Sequence, residues 1–173
     1  VWKLGGMYDK AIQRIIGWLE KASVVAENEQ QKDIINTLIE FYKSGSLETF
    51  DDYSVKWVND TVSQVDFING FIETYTDPMG MKGSWESLIN FKSIEASERT
   101  KIISDNAQWF EDNSPIDVRF KKEEVKGVSA KVVTAAMLGG DTYPATPIGI
   151  NLPNADWIRR DHGSKSVTID NIT

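Results

Sequence analysis

Cysteine is absent from the sequence, and histidine occurs only once, at His162. The absence of cysteine excludes disulfide bonds, thiolate metal sites and cysteine nucleophiles. A zinc site without thiolates usually needs two or three imidazoles, which a single histidine cannot supply. We therefore expect no metal site in this sequence, and His162 is expected to be a surface residue in a loop rather than a ligand.

Long apolar runs and an excess of positive charge are also missing. A membrane-spanning helix needs about 18 or more consecutive apolar residues, and because no stretch approaches that length, the sequence predicts no membrane partner. The net charge is −7, and such a surface repels phosphate backbones, which argues against a nucleic acid partner. The chain begins Val-Trp-Lys without a methionine or a signal peptide, which is typical of an internal segment.

The first third of the chain predicts three helices. Apolar residues recur at three- and four-residue steps from Tyr8 to Ala22, which is the period of an amphipathic helix. Asn28 can cap a second helix, with Gln31 placed for a capping box, and Ser44-Gly45-Ser46 ends it. A third helix is expected to turn four residues inward: Phe50, Tyr53, Trp57 and Val58.

The pattern then changes to the alternation of a β-hairpin. Residues from Val65 to Tyr75 alternate in polarity and are rich in β-branched and aromatic types, which predicts a strand. On that strand Glu73 and Tyr75 would face the same way. Asp77-Pro78-Met79-Gly80 is typical of a turn, and Trp85 to Phe91 is expected to be the returning strand.

The last part predicts one long helix and three more strands. The helix runs from about Ile94 to Phe110 with Ser93 as its cap. Its weak apolar stripe (Ile102, Ile103, Trp109 and Phe110) indicates a helix that is largely exposed on one side. The strands are Val128 to Met137, Ile148 to Leu152 and Ser166 to Ile169. The predicted class is α+β, a helical N-terminal part followed by a mainly antiparallel β-sheet or barrel-like core with one long inserted helix.

The order of these elements divides the chain into four segments. Residues 1–62 form a helical segment and residues 63–92 a β-hairpin. Residues 93–126 hold the inserted helix and its connection, and residues 127–173 hold the remaining core strands. These boundaries are expectations from the change of hydrophobic period along the chain.

Polar residues at strand ends allow two interpretations. Glu73 and Tyr75 follow an apolar strand face, so they could mark the lip of a cleft, or the strand could simply emerge into solvent there. Asn151 and Asn154 flank Pro153, and their amides could bind an ammonium or a peptide backbone. The alternative is turn formation, which is the more usual role of asparagine at such a position.

Prolines around Gly149 predict an edge strand, because proline donates no ladder hydrogen bond. Pro144, Pro147 and Pro153 surround Ile148-Gly149-Ile150. An edge strand can take up an extended peptide by β-augmentation. Alternatively, the edge is kept short and broken because a free edge promotes aggregation.

Two sequence blocks resemble the dipeptidyl peptidase III family. Phe71 to Glu86 reads FIETYTDPMGMKGSWE and matches the family's Glu-x-Tyr-x-Asp-Pro-x-Gly block, which is followed by a glycine and an acidic residue. Gly149 to Asn154 reads GINLPN and is similar to the family's Gly-Ile-Asn-Ile-Pro-Asn. The opening helix is also similar, and the resemblance covers nearly the whole chain. It implies a segment of a large, two-lobed, cytoplasmic zinc metallopeptidase that releases dipeptides from the free N-terminus of oligopeptides.

The resemblance also implies roles for individual residues. Glu73 would hold the terminal ammonium of the substrate, with amide partners, and Tyr75 would help to stabilise the reacting carbonyl. Glu86 would lie near the substrate, and the strand that begins at Gly149 would pair with the peptide backbone. The residues expected to bind substrate are Glu73, Glu86, Gly149, Asn151 and Asn154. The loop from Gly140 to Thr146 matches the family poorly, so no role is carried over to it.

The family's zinc ligands lie on a His-Glu-x-x-Gly-His motif and a later glutamate, and this sequence has neither. The resemblance therefore implies zinc in the full-length enzyme and none in this segment, which we expect to be inactive alone. Its expected partners are oligopeptides with a free N-terminus and the rest of its own parent chain. A free-standing, non-catalytic peptide-binding module is the alternative, and a His-Glu-x-x-Gly-His motif downstream of Thr173 would decide against it.

Overall fold

The computed structural model describes residues 2–125 and 128–172. These residues form two compact units that divide between Ser63 and Gln64. The predicted boundary between the third and fourth segments, at residues 126 and 127, lies outside the described residues.

The first unit contains the three predicted helices. They are α1 (Asp9–Val24), α2 (Glu29–Ser44) and α3 (Leu47–Asn59). The hydrophobic stripe of each helix is buried in the unit's core, as the three- and four-residue spacing predicts. The largest buried side chains include Ile12, Ile34, Leu38, Tyr42, Tyr53 and Trp57.

The ends of α2 show why this helix begins and ends where it does. The Asn28 side chain accepts a 2.8 Å hydrogen bond from the Gln31 backbone N–H, which confirms the predicted cap. The Gln31 side chain reaches back to the backbone N–H of Glu27, also at 2.8 Å, so the reciprocal bond forms one residue earlier than in a standard capping box. Gly45 ends the helix in the left-handed conformation, with φ of 71°.

The second unit is built on a five-stranded sheet. Its strands are β1 (Val65–Gly70), β2 (Glu86–Lys92), β3 (Val128–Gly140), β4 (Gly149–Leu152) and β5 (Ser164–Ile169). Their order is β1-β2-β3-β5-β4, and β3 with β5 is the parallel pair. The α+β class and the mainly antiparallel sheet are confirmed, and β4 lies at an edge as the prolines predict.

The first strand is shorter than the alternation predicts. It ends at Gly70, which pairs with Glu86, the first residue of β2. Residues 71–85 therefore form an irregular loop, and the prediction that Glu73 and Tyr75 lie on a strand is wrong. The physical reason lies at Asp77, whose backbone N–H donates to the carbonyl of Thr74 at 3.1 Å and whose carboxylate accepts from the backbone N–H groups of residues 81–83. These backbone groups therefore need no ladder partner.

The single long helix is also a wrong prediction, because the chain forms two helices, α4 (Ile94–Asp105) and α5 (Ala107–Asp112), separated at Asn106. Ser93 occupies the N-cap position of α4 but makes no side-chain cap hydrogen bond. The apolar stripe is exposed to solvent, with Ile102 at 68% and Trp109 at 59%. In the described part of the chain, no helix has the length and apolarity needed to cross a membrane.

Hydroxyl groups, rather than apolar residues, attach α4 to the sheet. Ser97 Oγ lies 3.1 Å from the backbone N of Val132 and 3.2 Å from its carbonyl oxygen, and Ser104 Oγ accepts from the backbone N–H of Ala130 at 3.2 Å. Residues 128–132 of β3 pair with β5 on one side only, because β2 pairs with β3 from Val133 onward. The α4 hydroxyls thus satisfy backbone groups of β3 that have no strand beside them.

One face of the sheet is buried, and it combines apolar side chains with an ionic cluster of Asp66, Lys131 and Lys165. Lys165 is fully buried, and its ammonium donates to Asp66 Oδ2 at 2.8 Å. The ammonium of Lys131, also buried, lies 3.9 Å from the same oxygen. A short helix, α6 (Asp156–Asp161), follows β4 and buries Ile158. The apolar members of the face are Ile68, Leu88, Leu152, Val133, Val167 and Ile169.

Candidate functional site

The loop between β1 and β2 is organised around the buried carboxylate of Asp77. This carboxylate accepts backbone hydrogen bonds from Met81 at 3.1 Å, Lys82 at 2.8 Å and Gly83 at 2.6 Å. Burial opposes ionisation of Asp77, but the three N–H donors and the charge of Lys82 outweigh it, so the pKa of Asp77 lies below its ordinary value. The Asp-Pro-x-Gly block is therefore a folding element that shapes the loop carrying Glu73 and Tyr75.

Glu73 is brought to the end of the edge strand. The side-chain amide of Asn154 donates to Glu73 Oε1 at 2.8 Å, across 81 residues of sequence. Glu73 is half-buried and Asn154 is exposed. The structure thus brings together two of the residues that the two sequence blocks single out, and their polar atoms face solvent at one edge of the sheet.

Glu86 has an unusual electrostatic environment at the start of β2. Its neighbours across the sheet are both glycines, Gly70 on β1 and Gly140 on β3. Partial burial, followed by the negative charges of Glu73 and Asp141, raises the pKa of Glu86 to about 7. The carboxyl group can therefore hold or release a proton near neutral pH.

Two further predicted site residues are exposed beside this cluster. The Tyr75 ring is 79% exposed, and the Asn151 side chain is also exposed. In the part of the chain that the structure describes, no hydrogen bond joins either side chain to Glu73. Both side chains are accessible to a ligand.

The outer edge of β4 presents backbone groups to solvent. The carbonyl of Ile148 accepts from the backbone N–H of Ile169 at 2.9 Å, so residue 148 points its backbone groups at β5. Because the direction of these groups alternates along an antiparallel ladder, the N–H and C=O of Gly149 and Asn151 point away from β5. An extended peptide laid along this edge would meet them.

Sequence reasoning missed Asp141, which lies in the loop that matched the family poorly. Its carboxylate accepts from the hydroxyl of Thr76 at 2.8 Å and from the hydroxyl of Ser84. Thr76 lies 65 residues away in sequence, so no local spacing could indicate the contact. The glycines and prolines of residues 139–147 indicate an irregular loop, and they carry no information about the partners of Asp141.

The profile of peptidase family M49 matches residues 3–173. The chain belongs to peptidase family M49. Among its curated relatives, dipeptidyl peptidase 3 of Dictyostelium discoideum is 33% identical over 170 residues, which are 96% of this chain and 24% of that protein. Dipeptidyl peptidase 3 of Homo sapiens is 29% identical over 167 residues, which are 96% of this chain and 22% of that protein.

The M49 assignment agrees with the fold. A solved structure of DPP III from Caldithrix abyssi superposes with a TM-score of 0.83 at 23% identity, over 98% of this chain and 32% of that one. The chain spans about a quarter of the length of the curated relatives it matches. It therefore corresponds to one segment of an M49 peptidase. The remaining length of those relatives has no counterpart in these residues.

Zinc, which the resemblance to the family implies for the full-length enzyme, does not fit the residues of this M49 segment. Across residues 2–125 and 128–172, no three His, Cys, Asp or Glu side chains come together in a group that could hold a metal ion. His162 is exposed, and its ring lies 5.9 Å from the Trp157 ring in an edge-on arrangement of 81°.

Replacing Glu86 with glutamine is expected to stabilise the chain at about pH 8 and to leave its stability unchanged at about pH 4. The folded chain keeps a proton on Glu86 between the ordinary pKa of 4.5 and about 7, where the unfolded chain has lost it. The free energy of unfolding therefore falls as the pH rises through this window, and glutamine, which never ionises, removes the fall. Allowing for solvent screening of this partly exposed group, we expect a gain of roughly 1–2 kcal/mol above pH 7.

Chemical denaturation at both pH values measures this difference. Glu98→Gln on α4 is the matched control, because it removes the same charge from an exposed position. An equal gain for Glu86→Gln at both pH values would contradict the raised pKa of Glu86.

Proposed function

We propose that this chain forms the substrate-binding wall of a zinc-dependent dipeptidyl peptidase. The full-length enzyme would remove dipeptides from the free N-terminus of oligopeptides in the cytoplasm. The observation that carries the proposal is the 2.8 Å contact between Asn154 and Glu73 at the end of the free edge of β4. It places a carboxylate beside an edge strand that can align a peptide.

Glu73 supplies the charge that binds the terminal ammonium of the peptide. An ammonium has three N–H donors, which a carboxylate and two amide oxygens can accept. Asn154 holds Glu73 through its Nδ2 atom, so its Oδ1 atom remains available as an acceptor. Asn151 would supply the second amide oxygen. Contacts between an ionised donor and an ionised acceptor are among the strongest hydrogen bonds in proteins.

The edge strand fixes the direction and register of the peptide. The outward N–H and C=O groups of Gly149 and Asn151 would form main-chain hydrogen bonds that do not depend on the peptide's sequence. With the ammonium held at one end, the position of the bond to be cleaved follows from the distance along the strand. An ammonium held at a fixed place along the strand would set the number of residues removed, which would be two in the proposed enzyme.

Tyr75 and Glu86 would act nearer the reacting carbonyl. The exposed Tyr75 hydroxyl can donate a hydrogen bond to the oxygen on which negative charge grows in the transition state. Glu86, with its pKa of about 7, would lie near the substrate and can accept or share a proton there. The zinc, with its water chemistry, would be held by the rest of the parent chain.

The proposal is tested by following peptide products by mass spectrometry. The full-length protein should release dipeptides in succession from an oligopeptide with a free N-terminus, and should hardly attack its N-acetylated form. The isolated chain should release none, because its described residues contain no group of side chains that could form an open three-ligand zinc site. Release of single amino acids, equal cleavage of the blocked peptide or turnover by the isolated chain would contradict the proposal.

A further inference from the structure

We propose that Asp141 is a positioning residue for Tyr75, acting through Thr76 and Ser84. This inference rests on the proposed function of Tyr75 and extends it to a residue in the loop after β3. The Asp141 carboxylate accepts hydrogen bonds from the first and last residues of the loop segment 76–84. Tyr75 directly precedes Thr76, the first of them.

Asp141, Thr76 and Ser84 form a hydrogen-bonded cluster. Asp141 Oδ2 accepts from Thr76 Oγ1 at 2.8 Å and from the buried Ser84 hydroxyl. The two hydroxyl oxygens also lie 3.1 Å from each other. Hydrogen bonds to an ionised carboxylate are about twice as strong as neutral ones, so one carboxylate can hold both hydroxyls in place.

Asp141 is itself held by the backbone. Its N–H donates to the carbonyl of Trp85 at 2.9 Å. The preceding Gly140 has φ of 61°, and a Cβ atom there would lie 1.9 Å from the Trp85 carbonyl oxygen. Only glycine fits that approach, so the turn at the end of β3 brings the Asp141 carboxylate to a fixed place beside the loop.

The position of Tyr75 depends on this cluster because the tyrosine ring has little packing of its own. The ring is 79% exposed, so apolar neighbours do not orient it. The Asp77 carboxylate shapes residues 77–83, and the Asp141 cluster connects that shaped loop to the sheet. A donor must be held within a fraction of an ångström of its target to act in the transition state, and a misplacement of about 1 Å can cost a hundredfold in rate.

Asp141→Ala in the full-length enzyme should lower kcat by roughly tenfold to a hundredfold, with KM changed by less than about threefold. Asp141→Asn keeps an acceptor oxygen for both hydroxyls and should restore most of kcat. Thr76→Val, which leaves the contact between Asp141 and Ser84 in place, should give a smaller loss in the same direction. Asp170→Ala is the matched control, because Asp170 accepts from Thr134 at 3.0 Å elsewhere on the sheet, and its kcat should match the parent's.

The deciding measurement is the effect of Asp141→Ala when the Tyr75 hydroxyl is already absent. Asp141→Ala and Asp141→Asn both remove the negative charge that helps to raise the pKa of Glu86, so the difference in kcat between these two variants reports on positioning alone. In a Tyr75→Phe background the two variants should have kcat values within about twofold of each other, because there is no hydroxyl left to position. A difference between them as large as in the parent background would overturn the role of Asp141 and leave Tyr75 intact as a donor. No loss from Asp141→Ala in the parent enzyme would overturn it as well. A Tyr75→Phe variant as active as the parent would instead overturn the role of Tyr75, and that of Asp141 with it.

Discussion

Replacing Tyr75 with phenylalanine in the full-length enzyme is expected to lower kcat about a hundredfold to a thousandfold, with a much smaller change in KM. The hydroxyl is proposed to donate to the carbonyl oxygen of the bond being cleaved. That oxygen carries more negative charge in the transition state than in the bound substrate, so the donor stabilises the transition state selectively. The loss corresponds to roughly 2.7–4 kcal/mol of transition-state stabilisation.

The exposed position of Tyr75 makes this substitution informative. Because the ring is 79% exposed, phenylalanine should not disturb a packed core. Tyr143→Phe, on another loop of the same unit and 71% exposed, is the matched control and should leave kcat unchanged. If kcat for Tyr75→Phe stays within about twofold of the parent at normal stability and zinc content, Tyr75 has no role in the transition state.

Glu73→Gln in the full-length enzyme is expected to weaken the binding of peptides with a free N-terminus by about 1.5–3 kcal/mol, or roughly tenfold to a hundredfold. Glutamine keeps an oxygen that can accept from Asn154, so the contact that orients residue 73 survives. What is lost is the negative charge that faces the ammonium. An N-acetylated peptide has no ammonium, and its affinity should hardly change.

Inhibition constants for one short peptide in its free and acetylated forms measure this difference directly. Glu98→Gln removes an exposed charge from α4, and it should affect neither form. Equal weakening of the free and acetylated peptides by Glu73→Gln would contradict the ammonium role. In that case the Glu73 carboxylate would only orient neighbouring groups such as Asn154 and would not bind the ammonium.

The helices of the first unit could be predicted because their signals are local. In α2, the stripe of apolar residues and the cap at Asn28 lie within one short segment. In the structure the stripe is buried and the Asn28 side chain caps the helix. The stripe of α4 was misleading for a physical reason. Ser97 and Ser104 attach this helix to β3 through hydrogen bonds, so its apolar residues do not need to face the sheet, and hydroxyl pairing of this kind has no periodic signature in the sequence.

The site shows the same division between local and distant information. The residue types at Glu73 and Asn154 could be singled out from two sequence blocks, but their 2.8 Å contact depends on the order of strands in the sheet. The end of β1 could not be predicted from alternation, because Phe71, Glu73 and Tyr75 continue the pattern after the ladder has stopped at Gly70. The contact between Asp141 and Thr76 depends on the turn after β3, which brings the two residues together, and the sequence near Asp141 does not indicate it.

The short edge strand limits the length of any chain that could pair with it. β4 has four residues and lies between Pro147 and Pro153, which donate no hydrogen bonds that would prolong the ladder. Only Gly149 and Asn151 turn their backbone groups outward, so a docked chain gains main-chain bonds over a span of about three residues, or roughly 10 Å. A longer chain gains nothing further from this edge. The end of a short peptide would therefore gain as much from this edge as a long extended segment, and the edge offers little to the strands of other sheets.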